Sequence, residues 1–153
     1  MKVLTQKVKI LLVLLVLLMA AGCAKQEPQK ELAAASVTIR NKNIAVEVAG
    51  TEQTRQLGLS GRENLKRGEG MLFVFEQPDY YVFWMKNMNF PLDIVWIGGG
   101  EIVDIKSNLA AEGEHPSNFY HPAQPADYAL EVNGGEAGEY GWEIGDKVEI
   151  KWP

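Results

Sequence analysis

Lys86, Asp93 and Glu131 each stand in an otherwise apolar stretch. A charge taken out of water without a partner costs several kcal/mol, so each needs a reason to be there. Lys86 and Asn87 follow Phe83, Trp84 and Met85; Asp93 opens a new apolar run just after Pro91; Glu131 interrupts the alternation of Tyr128, Leu130 and Val132. With Arg55 or Arg62 on the same face, two acids and two bases would gather. Two readings follow. In the first, Arg62, Lys86, Asn87, Asp93 and Glu131 form a ligand-binding polar pocket rimmed by Trp84, Phe90 and Trp96. It would suit a carbohydrate or another small polar ligand, whose hydroxyls take charge-assisted hydrogen bonds and whose C–H faces stack on rings. In the second, the same charges are a structural ion-pair network that holds the β-turns in register.

Catalytic arrangements are weaker. Asp93 and Glu131 would serve as acid and base on a glycosidic bond if their carboxyls stood about 5 to 10 Å apart. Gly58, Leu59, Ser60 and Gly61 superficially suggest a serine nucleophile elbow, but that turn needs glycine where Arg62 stands and a strand, not a helix, before the serine. His115 and His121 lie six apart in a proline-rich stretch, without the helical spacing of a zinc pair, and read as solvated loop residues. No cofactor or metal is expected, and a non-catalytic role is favoured over an enzyme. The aromatic residues Phe119, Tyr120 and Trp142 fall in loops, which leaves open an alternative role as an envelope protein-interaction domain.

The elements that must position these residues read as mainly β. Residues 37–40 and 44–48 alternate at period two around Asn41 and Asn43, a hairpin. Thr51 is a hydroxyl N-cap with Glu52 in the first turn, and Gly58 and Gly61 suit the end of one short helix. Residues 71–75 and 81–86 read as strands on either side of a turn at Gln77, Pro78 and Asp79. Residues 93–97 and 101–105 form a second hairpin around Gly98, Gly99 and Gly100. The stretch 110–126 carries three prolines and both histidines and reads as a long surface loop. Residues 128–132 alternate, placing Ala129 and Glu131 opposite Tyr128, Leu130 and Val132, and residues 147–152 make a last strand. The predicted fold is mainly β (α+β with one short helix), a compact, nearly closed β-barrel or sandwich of about eight short strands that protects its edges.

The chain has 153 residues and a formal charge of -5, but the charge is unevenly spread. Residues 1–22 hold Lys2, Lys7 and Lys9 and no acid; the remainder carries 12 basic against 20 acidic residues, or -8. Such a body repels phosphate backbones, which argues against nucleic acid as a partner. Between Glu112 and Glu149 the acids outnumber the single Lys147, and this reads as a solvated face. Residues 10–21 are uninterruptedly apolar. As a helix they rise roughly 18 Å, short of the ~30 Å hydrocarbon core, and so read as a secretory signal, not a membrane span. The single cysteine excludes an internal disulfide.

Ala20, Ala21 and Gly22 run directly into Cys23, a join that resembles a bacterial lipoprotein lipobox, although the pattern more often has leucine where Ala20 stands. The resemblance implies that Cys23 becomes the lipidated N-terminus, with residues 1–22 a lipoprotein signal peptide, 23–35 a polar and alanine-rich tether, and 36–153 one globular domain. Each buried methylene contributes about 0.8 kcal/mol, so a multiply acylated terminus holds the domain at a membrane without a basic patch. The protein is expected to be exported and membrane-anchored, and to act as a monomer. Ala24, not being aspartate, implies the periplasmic face of the outer membrane in a host with two membranes, and otherwise the outer face of the cell membrane.

Four stretches together resemble the bacterial and archaeal family called domain of unknown function 192 (DUF 192): residues 55–62, 70–75, 83–94, and 128–135 with the later Gly145 and Asp146. The third, from Phe83 through Lys86, Asn87 and Pro91 to Ile94, is long and idiosyncratic. The resemblance implies a compact, β-rich, often exported single domain of uncharacterised activity. Relatives often carry cysteines in the loop before Tyr128; this chain has none there.

Overall fold

A computed structural model describes residues 34–153; the expected signal peptide, Cys23 and the expected tether up to residue 33 lie outside the described residues. Seven strands form one sheet: β1 Ala34–Ile39, β2 Lys42–Ala49, β3 Glu69–Asp79, β4 Leu92–Gly98, β5 Glu101–Leu109, β6 Ala126–Asn133 and β7 Val148–Lys151. Their order is β5-β4-β6-β3-β2-β1-β7. Both predicted hairpins form. Arg40 takes the left-handed conformation in the first turn, and its guanidinium reaches Glu143 and Asp146 at 2.8 and 2.7 Å. Gly99 and Gly100 both have positive φ, as a two-residue hairpin requires.

All neighbouring strands are antiparallel except β2 and β3, where Val46 lies beside Gly70 and Val48 beside Leu72. Parallel strands cannot be joined by a tight turn. Their crossover carries helix α1, Glu52–Leu57, and the loop behind it. The helix is capped as its sequence predicts: Thr51 and Thr54 exchange side chain–backbone bonds, and Gly58 ends it. Gly70 is required where β3 meets β6, because a Cβ there would stand 2.6 Å from the Glu131 carbonyl oxygen.

The sheet curls until its edges touch. Glu101 bridges Lys147, and the Val148 and Ile102 amides donate to the Gly100 and Asp146 carbonyls. Every strand contributes to the interior, with Ile39, Ile44, Leu72, Val95, Ile102 and Leu130 among the buried residues and Ile150 packed against them. A second core forms on the outer face of β3, β4 and β6, where Met71, Phe73, Ile94, Trp96 and Ala129 are covered by Leu59, Phe83, Met85 and Met88. Leaving that apolar face in water would forfeit roughly 25 cal/mol per Å², so the covering segments are held by burial more than by ladder hydrogen bonds.

Several sequence expectations are corrected. Residues 81–86 are extended but are not a sheet strand; Phe83 makes a single bridge to Tyr120, and the Met85 carbonyl accepts from the Glu112 amide. The segment crosses the sheet instead of joining it. The stretch Gln77 to Asp79 continues β3, with Asp79 opposite Ala126. The first strand begins at Ala34, so the end of the predicted tether is already in the sheet. A second helix, the four-residue α2 at Glu136–Glu139, was not expected. Trp142 does fall in a loop, as expected, but its side chain is buried in the barrel interior.

Candidate functional site

Side chains directly opposite one another on paired strands share a face. Glu131 stands opposite Met71 on β3 and Ile94 on β4, so its carboxyl projects into the outer core between two apolar neighbours. It is 5% exposed. No side chain or backbone group among the described residues hydrogen-bonds it. Burial pushes the carboxyl up to about 8, so at neutral pH most molecules carry a proton there and the group is a hydrogen-bond donor.

What Glu131 meets is a cavity of about 150 Å³. One wall is α1 and its exit, Arg55 to Ser60; the other is the extended segment Tyr81 to Trp84 with Met88; Phe73 and Phe75 complete it from β3. The rings hold one another in place. Phe83 meets Phe73 edge-on at 5.0 Å and Trp96 at 5.7 Å, and Phe75 stacks on Tyr81 at 3.6 Å. Among the described residues Arg55 is the only base in the lining, and it is tied down: its Nη1 donates to the Gly50 and Val74 carbonyls at 3.0 Å each, and its guanidinium lies over the Phe75 ring. The Ser60 hydroxyl donates to the Lys86 carbonyl at 2.8 Å, fastening one wall to the other. At the mouth Leu57 is 59% exposed, Val82 52% and Trp84 39%.

Of the six residues expected to bind ligand, only Glu131 and Trp84 line this cavity. Asp93 projects from the opposite face, beside Val132. It is fully buried; its Oδ1 accepts from the Asn108 and Gly135 amides at 2.6 and 2.8 Å and its Oδ2 from the Ala137 amide at 2.8 Å, so it caps α2 and closes the barrel end. Two carboxyls on opposite faces of a sheet cannot flank one glycosidic bond, which removes the geometry of the hydrolase reading. Arg62 makes a two-pronged pair with Glu47, one prong at 2.8 Å, and holds the Glu47 carboxyl below its usual range. The Lys86 and Asn87 side chains are exposed; what they contribute is backbone, the Asn87 carbonyl accepting from Gly61 at 2.8 Å and its amide donating to Gly113 at 3.0 Å.

The expected ion-pair network among Lys86, Asp93, Glu131 and Arg62 is therefore absent among the described residues, and so is their convergence on one face. Trp96, expected at a pocket rim, is fully buried in the outer core, with Phe90 half-buried against the same core. Leu59, Phe73, Phe75 and Phe83 were not singled out as site residues, and Arg55 was named only as a possible companion charge. The signal that would have found the β3 pair was the period-two alternation of Met71, Phe73 and Phe75, which puts them on one face. Glu131 shares that face through its register with Met71.

Two solved structures resemble this one along most of the chain. A protein of unknown function from Novosphingobium aromaticivorans DSM 12444 is 34% identical, with a TM-score of 0.72 over 84% of this chain and 94% of that one. A candidate transcription regulator from Sinorhizobium meliloti 1021 is 30% identical, with a TM-score of 0.74 over 80% of this chain and 97% of that one. A comparison with curated proteins gives no match. The model of the family DUF192, described as an uncharacterized ACR, matches residues 35–150, from within β1 to within β7. The chain belongs to the DUF192 family.

Proposed function

We propose that this protein is an exported lipoprotein whose single β-rich domain binds a small ligand without turning it over, held at a membrane by a lipid on Cys23. The observation that carries the binding reading is the Glu131 carboxyl, buried, without a hydrogen-bond partner and facing an aromatic-walled cavity with an open mouth. A buried polar group left unpaired costs stability, and such groups concentrate where a ligand completes them. A cavity near 150 Å³ is about the size that takes benzene, which favours a compact, largely apolar molecule with one polar group over a sugar ringed with hydroxyls.

No residue pair in the cavity has the arrangement of a nucleophile with its base, and the one serine there has its hydroxyl committed to Lys86. The transcription-regulator description of one relative is not carried over, because a body with 12 basic against 20 acidic residues after residue 22 repels a phosphate backbone. The anchoring reading rests on the run of small residues into Cys23.

A melting-temperature screen of small molecules against the full-length protein in detergent tests the binding reading. Ligands are expected that raise the transition in the parent and not in Gln56→Trp, which fills the mouth from the exposed side of α1. A screen without such a compound overturns the reading. The exposed trio Leu57, Val82 and Trp84 favours a second reading, an envelope protein that inserts an apolar side chain into the same mouth. It is favoured instead if Gln56→Trp abolishes pull-down of a partner from solubilised membranes.

A further inference from the structure

We propose that the ligand of the Glu131 cavity is a small organic cation, an alkyl- or arylalkyl-ammonium whose N–H groups meet the carboxylate while its apolar body lies against the rings. This rests on the cavity being a ligand site and names the chemistry of what enters it. Four observations point the same way. Among the described residues the carboxyl has no counter-charge: its neighbours across both ladders are Met71 and Ile94, and the only base in the lining, Arg55, is committed to two backbone carbonyls and the face of Phe75. A ligand that brings its own positive charge supplies the missing partner. The walls are Phe73, Phe83 and Trp84, and a ring face attracts a cation most strongly where water is excluded.

The last turn of α1 adds to this. Gln56, Leu57 and Gly58 line the cavity, and among the described residues the Arg55 and Gln56 carbonyls accept no backbone amide beyond the helix, which leaves carbonyl acceptors uncapped at this end of the wall. The remaining charged or titratable groups that reach the cavity are Glu52, paired with Gln56, and Tyr81, whose hydroxyl donates to the Gln77 carbonyl. Lys86 and Arg62 do not line it. The balance of the lining is thus two acids and one pinned base, and an anionic ligand would meet Glu131 with no cation free to offset it. Binding an ammonium ion requires the carboxylate, so the proton held by Glu131 at neutral pH must leave as the ligand enters.

Benzylamine, benzyl alcohol and benzoate share a ring and differ in charge. Titrated by calorimetry into full-length protein in detergent, with Glu131→Gln and Gln56→Trp as matched controls, they separate the chemistry from the site. Benzylamine is expected to bind at least tenfold more tightly than the other two at pH 7.5. Its affinity should rise close to tenfold per pH unit between pH 6 and 7.5, and about one proton per site should be released, read from the buffer dependence of the heat. Glu131→Gln is expected to keep its fold, since it replaces a carboxyl that is mostly protonated at neutral pH by an uncharged amide of the same shape, and to lose both the preference and the slope. If benzyl alcohol or benzoate binds as tightly, in a manner blocked by Gln56→Trp and flat or falling with pH, the cation assignment is overturned while the cavity remains a ligand site. If none of the three gives a signal sensitive to Gln56→Trp, the cation assignment falls, and an empty compound screen would then remove the cavity reading as well.

Discussion

Asp93 and Glu131 lie one register step apart on adjacent strands and project from opposite faces of the sheet. Both are buried acids, yet their surroundings differ in kind: Asp93 is met by three backbone amides, Glu131 by apolar side chains. The first is built into the fold. The second is held against its solvation preference. Opposite behaviour under mutation is the consequence.

Removing the charge of Glu131 should stabilise the protein at alkaline pH. The folded carboxyl is raised to about 8 by burial, above its unfolded value, so the native state holds the extra proton between roughly pH 4.5 and 8 and stability falls with rising pH across that window. The fall is on the order of 1 kcal/mol per pH unit and levels off above the folded value. Urea denaturation from pH 5 to 9 should show Glu131→Gln drawing level with or exceeding the parent as pH rises, because the variant lacks the decline.

Asp93→Asn should destabilise by about 2 to 3 kcal/mol, since an amide keeps one acceptor oxygen where the carboxylate offers two and leaves at least one buried N–H unpaired. The loss is expected in the midpoint of chemical unfolding, with ligand response in the compound screen unchanged in the folded fraction. A loss of ligand response with unaltered stability would contradict the structural role.

Arg62→Ala should cost less than about 1 kcal/mol at neutral pH, because its pair with Glu47 is partly exposed and screened. Glu47 is held below its usual range, chiefly by the hydrogen bonds from Arg62, so the pair's contribution is present above the unfolded value and is lost as pH falls through the folded one. Parent and variant should therefore converge in acid, a comparison that thermal unfolding at pH 7 and pH 3 makes directly.

Cys23→Ser should shift the protein from the membrane to the soluble fraction and leave the signal segment uncleaved, as seen by fractionation and intact mass. Unchanged partitioning and processing would remove the lipid anchor from the proposal.

Much of the fold was legible in the sequence because local chemistry decided it. The first hairpin follows from the alternation at Val37, Ile39, Ile44 and Val46, the second from consecutive glycines, and α1 from its Thr51 cap. The segment around Phe83 misled because its alternation is real: Phe83 and Met85 are buried, Val82 and Trp84 exposed. A ladder also needs a neighbouring strand, and the neighbour here is a loop whose Tyr120 and Glu112 arrive only in three dimensions. Helix α2 was hidden for a similar reason, since the acceptor for its Ala137 amide is Asp93, 44 residues earlier.

The site was half legible. Glu131 was visible as a polar break in an apolar run, and Trp84 by its place in the idiosyncratic stretch. The grouping with Lys86, Asn87 and Asp93 failed because an acid's partners can be backbone amides, which look alike at every position. Arg55 was noted only as a possible companion charge, and nothing local distinguishes an arginine pinned on carbonyls from one free in water.

The place of β6 between β3 and β4 gives the two walls of the cavity the same origin. β3 and β4 both run antiparallel to β6 and therefore point the same way, as β2 and β3 do. Strands that point the same way must be joined by a chain that leaves and returns. The α1 wall lies on the return between β2 and β3 and the wall from Tyr81 to Met88 on the return between β3 and β4, so neither can shrink to a tight turn. The cavity is the space between two obligatory crossings, and divergence within the family is expected to change the side chains that line it while both walls keep their course.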